Sequence, residues 1–122
     1  MKKVALFVVL ASSMVATVSA WAGKDDHVII QEAAKNHVQI IKAQKLADET
    51  AVTLTGTITK KITEESFELK DSTASILLDV DDDLSRAINL KVGDQVKVIG
   101  EVDTHRHRAT DIEVVHIEKM TH

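Results

Sequence analysis

The sequence predicts an all-β fold: a five-stranded Greek-key barrel with a short helix between strands three and four and a short N-terminal helical segment. Three observations carry this expectation. From Ala51 onward the apolar residues recur with a period of two, the pattern of half-buried strands. Turn clusters at Glu64-Glu65-Ser66, Asp71-Ser72-Thr73 and Val92-Gly93-Asp94 divide that region, at the close spacing, about eight to twelve residues, of a small barrel or sandwich. The first strand is long and carries Gly56 at an inward position, where a sharply bent barrel strand has no room for a side chain.

Taken in order, Gly23-Lys24-Asp25-Asp26 is a solvated lead-in to a short helix over residues 27–36, with Asp26 as its N-cap and Val28, Ile29, Glu32 and Ala33 near one another on its surface. Residues 37–41 read as a brief strand or extended segment. Residues 42–48 read as a helical turn or two, with Ala43, Leu46 and Ala47 on one face. In the first long strand Val52, Leu54, Gly56 and Ile58 point inward and Thr53, Thr55, Thr57 and Thr59 outward. Phe67 and Leu69 alternate with Glu68 and Lys70 in a second strand, and Ile76, Leu78 and Val80 with Leu77, Asp79 and Asp81 in a third. Residues 82–90 have an acidic start and a helical turn capped by Asp83. Val96, Val98 and Val102 bracket Gly100 in the fourth strand, residues 104–110 are a polar connection, and residues 111–117 are the last strand. Three strands, a helical insertion and two further strands is the order of the OB-fold. The expected core is Val52, Leu54, Ile58, Phe67, Leu69, Ile76, Leu78, Val96, Val98, Val102, Ile112 and Val114.

Ahead of this domain stands an address. Met1-Lys2-Lys3 is a basic start, residues 4–11 are an uncharged apolar run, and Val18-Ser19-Ala20 and Ala20-Trp21-Ala22 each offer a signal-peptidase site. The apolar run is far shorter than the roughly 20 residues that span a bilayer. The expectation is therefore a cleaved signal over residues 1–22, a polar, helical lead-in over 23–37, an OB-fold domain over 38–122, a periplasmic location and no membrane span in the mature chain. The 122 residues carry 15 basic and 19 acidic side chains and no Cys. With Lys2 and Lys3 removed, 13 basic groups face the 19 acidic ones, a formal −6. Disulfide frameworks, thiolate metal sites and cysteine catalysis are excluded by composition. The negative balance, with Phe67 as the one aromatic side chain left after cleavage, argues against nucleic acid, whose binding needs a basic groove and stacking aromatics.

Several short blocks carry a resemblance: Leu46-Ala47-Asp48-Glu49-Thr50, Val52-Thr53-Leu54-Thr55-Gly56, Phe67-Glu68-Leu69-Lys70-Asp71, Leu78-Asp79-Val80-Asp81, and Val92-Gly93-Asp94 leading to Gly100-Glu101-Val102-Asp103. Their order and spacing, from about Val38 to Met120, resemble the bacterial OB-fold (BOF) family of small periplasmic stress-tolerance proteins. The resemblance implies an exported, non-enzymatic OB domain linked to envelope stress, with a small or charged ligand. Ala51 and Leu84 stand where members of that family carry aromatic residues.

Candidate site residues fall in two groups. His105-Arg106-His107-Arg108 lies between strands four and five, and Lys60-Lys61 at the start of the connection between strands one and two. OB barrels grip ligands with these two loops. Lys60, Lys61, His105, Arg106, His107 and Arg108 are thus expected to form a rim for an anionic envelope ligand or partner, such as a cell-wall fragment, a lipid phosphate or an acidic protein surface. The alternative is a metal-binding protein. His105, His107 and His116 could hold a metal such as copper, and Asp79 and Asp81, on one strand face, could offer hard oxygen ligands to a divalent cation. The Asp79-Val80-Asp81-Asp82-Asp83 run is no EF-hand, since the twelfth position from Asp79 is Leu90. The chain has no nucleophile elbow, Gly-rich phosphate loop or His-Glu-x-x-His motif, so neither catalysis nor a cofactor is expected.

Overall fold

The computed structural model describes residues 26–120, so the expected signal over 1–22 lies outside them. Among the described residues, five strands run in chain order: β1 (Ala51–Lys61), β2 (Ser66–Lys70), β3 (Ser75–Asp79), β4 (Gln95–Asp103) and β5 (Asp111–Lys119). Three helices accompany them: α1 (Asp26–Ala34), α2 (Ile40–Ala43) and α3 (Asp82–Ala87), the last between β3 and β4. The strands close into a barrel in the order β1-β2-β3-β5-β4. The β3–β5 pair is parallel and spans three register pairs, whereas the other four strand pairs are antiparallel. This is the expected OB-fold.

β1 closes the barrel by changing partners. Its first half pairs with β4, from Ala51↔Glu101 to Thr57↔Gln95, and its second half with β2, from Thr57↔Lys70 to Lys61↔Phe67. Gly56 sits at this changeover, and a Cβ there would stand 2.5 Å from the Lys70 carbonyl oxygen. Any larger residue would push the strands apart just where β1 must bend.

All twelve expected core residues are buried in one cluster. Phe67 is the largest of them; fully burying such a side chain contributes about 1.5–3 kcal/mol. Ile40 and Ala43 of α2 join this core, with Leu84 and Ile88 packed against it from α3 and the turn that follows.

Three local expectations are corrected. Of residues 37–41, the part before Ile40 is extended, with one isolated bridge from His37 to Thr53, but it forms no strand, and the chain turns helical at Ile40. A distant carboxylate explains the early start, because the Ile40 N–H donates to Asp71 Oδ2 at 2.9 Å, a cap supplied by the β2–β3 turn. α3 begins at Asp82, so Asp81 occupies the N-cap position, without a side-chain cap bond, and Asp83 lies inside the first turn. Asp26, expected as the N-cap of α1, is itself helical.

A fourth correction concerns the outside of the barrel. Thr53 faces outward, as strand alternation requires, yet it is buried. α1 lies across the outer face of β1 and β4 and creates a second apolar cluster of Ile29, Ala33, Ala51 and Ile99, with Ile30 and Val115 at its margin. The Thr53 hydroxyl donates to the Ala33 carbonyl at 2.9 Å, which satisfies it in this dry layer. The segment after the helix is stitched to β1 by Asn36 Nδ2 to the Ala51 carbonyl (2.9 Å), Thr53 N–H to the Asn36 carbonyl (3.1 Å) and Val38 N–H to the Thr53 carbonyl (3.1 Å).

Candidate functional site

The β1–β2 turn and the β4–β5 connection meet at one mouth of the barrel. The turn is held by the Ile62 N–H donating to the Ser66 carbonyl at 2.8 Å and the Glu65 N–H to Thr63 Oγ1 at 3.2 Å. The Val80 N–H donates to the Glu65 carbonyl at 2.8 Å and ties the turn to the end of β3. A cleft of about 240 Å³ opens there. Thr63, Glu65 and Ser66 line it from the turn, Leu78 and Asp79 from β3, Asp103 from β4, Arg108 from the connection and Asp111 from β5.

Strand register decides the charge of this mouth. The β4–β5 pairing sets Asp103 opposite Asp111 and Glu101 opposite Glu113, and the parallel β3–β5 pairing sets Asp79 beside Glu113. Like charges directly opposite one another oppose sheet formation. Burial holds the Asp79 carboxyl above its usual range, and the negative charges of Asp111, Asp81 and Asp103 push it further, with the Arg108 guanidinium pulling the other way. Glu113 is raised in the same manner, by burial and then by Asp103, Asp79, Asp81 and Asp111.

His105 is the hub of the connection. Its Nε2 lies 3.1 Å from Asp111 Oδ1 and 3.6 Å from Asp103 Oδ2, and its ring is 17% exposed. Arg108 Nη2 stands 3.3 Å from His105 Nδ1. A guanidinium can only donate, so Nδ1 accepts in this arrangement and the ring proton resides on Nε2, pointing at the carboxylates. The Thr104 N–H donates to Asp48 Oδ1 at 2.9 Å and pins the connection at its root.

The expected rim residues therefore part company. His105 is drawn in against Asp103 and Asp111 and the exposed Arg108 lines the acidic mouth, while Arg106 and His107 are exposed and do not line it. Lys60 and Lys61 are exposed at the end of β1 and do not line the cleft; Lys61 pairs with Glu64 at 3.5 Å. His116 is on β5, exposed, with Glu118 Oε2 at 3.4 Å, so the three histidines of the metal alternative are not gathered in one site. Asp79 and Asp81 also diverge. β3 ends at Asp79, and Asp81 lines a different cleft with Asp26, Asp83 and Glu113, because the chain turns into α3 between them. Among the described residues, Asp103, His105 and Asp111 bring their donor atoms within 4.8 Å of one another. Asp103 and Asp111 escaped the sequence reading. They flank the His-Arg-His-Arg run, and pairing the fourth and fifth strands as a hairpin would have placed them face to face.

A family model described as bacterial OB fold (BOF) protein matches residues 18–119. The chain belongs to the bacterial OB-fold family. An uncharacterized protein of Haemophilus influenzae is 28% identical over 119 residues, covering 98% of both chains. The calcium-regulated OB-fold protein CarO of Pseudomonas aeruginosa is 36% identical over 78 residues, 63% of this chain and 67% of CarO. Protein YgiW of Escherichia coli is 32% identical over 64% of this chain and 59% of its own length. The YgiW structure superposes with a TM-score of 0.64, covering 70% of this chain and 90% of that one at 29% identity. The BOF family is of the binding type and is not a known enzyme family. Among the described residues no helix is long and apolar enough to cross a membrane.

Proposed function

We propose that this BOF protein is exported to the periplasm, where it contributes to envelope stress tolerance by binding a small ligand at the mouth between the β1–β2 turn and the β4–β5 connection, without catalysis. Export is supported by the basic, apolar and small-residue order of residues 1–22. The observation that carries the binding reading is the cleft itself, built from both connections and walled by Asp79, Asp103 and Asp111. Four acidic residues line this cleft, Glu65 with Asp79, Asp103 and Asp111, and a single guanidinium among them leaves a balance that favours a positively charged ligand. An anionic ligand would instead use Lys60, Arg106 and His107, which stand exposed outside it.

Native mass spectrometry of protein purified from the osmotic-shock fraction tests this reading. The mature chain is expected to begin at Trp21 or Gly23 and to carry a mass adduct that an Asp79→Asn/Asp111→Asn double variant loses. An adduct lost instead from an Arg106→Ala/Lys60→Ala variant would turn the site to anions. A deletion strain complemented with either variant, challenged with envelope-damaging agents, links the site to the stress role. Full complementation by the Asp79→Asn/Asp111→Asn protein would separate the two.

A further inference from the structure

Resting on that reading of the mouth, we propose that Asp103, His105 and Asp111 form a site for a divalent first-row transition metal such as zinc, and that Arg108 is the built-in cation which the metal displaces. The ligand set is one imidazole nitrogen and two carboxylates, brought together by strand register: Asp103 and Asp111 are cross-strand partners at the end of the β4–β5 ladder, and His105 folds back over both.

The distances fit a small ion. Ligands about 2.0–2.2 Å from a tetrahedral zinc stand about 3.3–3.6 Å from one another. His105 Nε2 lies 3.1 Å from one carboxylate and 3.6 Å from the other. The donor atoms of all three residues lie within 4.8 Å of one another, so side-chain rotation can gather them around one centre, and the adjoining cleft leaves a fourth position open to water. Calcium is a poorer match, since it takes six to eight oxygen ligands at about 2.3–2.6 Å and gains nothing from imidazole.

Arg108 gives the site its second property. Its guanidinium lines the cleft with Asp79, Asp103 and Asp111, favours the charged form of Asp79, and touches His105 Nδ1 at 3.3 Å. Metal binding at Nε2 moves the ring proton to Nδ1, which then repels the guanidinium. The metal and the exposed Arg108 thus compete for one acidic mouth, and filling the site breaks the Arg108–His105 contact. Removing the guanidinium should tighten metal binding; at an anion-binding rim the same change would weaken ligand binding.

Calorimetric titration of zinc chloride into the untagged, exported protein tests both parts, with calcium chloride as the comparison. One zinc per chain is expected, with Asp111→Asn and His105→Ala each weakening it at least about 10-fold, as loss of a ligand does at protein metal sites. Asp103→Asn, at the more exposed carboxylate, serves if Asp111→Asn fails to fold by its thermal midpoint. His107→Ala should leave affinity unchanged, calcium should bind at least about 10-fold more weakly, and Arg108→Gln should bind zinc more tightly. Absence of zinc binding, equal affinity in the ligand variants, or weaker binding in Arg108→Gln would overturn the proposal. Failure here with an adduct still lost from the Asp79→Asn/Asp111→Asn protein removes the metal and keeps the cation-binding mouth. Failure of both removes the mouth as well.

Discussion

Thr53→Val isolates what α1 contributes. The substitution keeps side-chain shape and β-branching and deletes the hydroxyl that donates to the Ala33 carbonyl at 2.9 Å. That carbonyl also accepts the Asn36 N–H at 2.9 Å, so it is not left bare. The loss is then that of one net hydrogen bond, about 0.5–1.5 kcal/mol. For a domain of this size it lowers the melting midpoint by roughly 2–10 °C. Thr55→Val, two residues along the same outward face and only half-buried, has no such bond to lose and should stay within about 0.5 kcal/mol of wild type. Urea unfolding followed by circular dichroism, with an unchanged m-value in both variants, supplies the comparison. Equal effects at the two positions would mean that the outer face of β1 is not covered by the helix, and a Thr53→Val protein more stable than wild type would mean that the hydroxyl's bond contributes nothing net.

Phe67→Ala should cost about 3–5 kcal/mol in the same assay, because the ring lies at the centre of the barrel and its neighbours cannot close the void. Gly100→Ala should cost about 1–3 kcal/mol, since its Cβ would run into the Glu113 carbonyl and stand 2.9 Å from Ile112 Cγ2, forcing β4 and β5 apart. Asp71 gives a pH signature. Burial pushes its carboxyl up, but the Thr73 hydroxyl and the N–H groups of Ile40, Thr73 and Ala74 outweigh this and hold it below its ordinary 3.8. The stability it contributes is therefore fully present above that value and lost as pH falls through the lower folded one. Asp71→Asn should accordingly destabilise at pH 7 and converge with wild type in strong acid. A stability difference that does not change with pH would refute this assignment.

The barrel was readable because its instructions are local. Strand alternation from Val52 to Val114, the turn clusters and Gly56 each act within a few residues, and all point to one register. What escaped depends on distant partners. Nothing near Ile40 announces that Asp71 will cap it, and Thr53 looks like any solvent-facing threonine until α1 covers it. The site shows the same division. The two connections were identified from fold order, but the acidic side chains around them were not, because a basic tetrapeptide read alone looks cationic. The β4–β5 register surrounds it with Asp103 and Asp111, and β3 adds Asp79 across the cleft.

The parallel β3–β5 pairing is the shortest seam of the cylinder, three residue pairs against seven between β1 and β4. Two of its three pairs carry carboxylates, at Asp111 and at Asp79 with Glu113. The joint that turns a folded ribbon into a closed tube thus also sets one carboxylate directly against another, Asp79 beside Glu113. Amide exchange should be fastest along this seam. Any positive charge that settles in the mouth then works as a clasp: occupancy of the site is converted into stiffness of the whole tube, and a binding event at the rim becomes readable at the amides of Leu77 and Ile112.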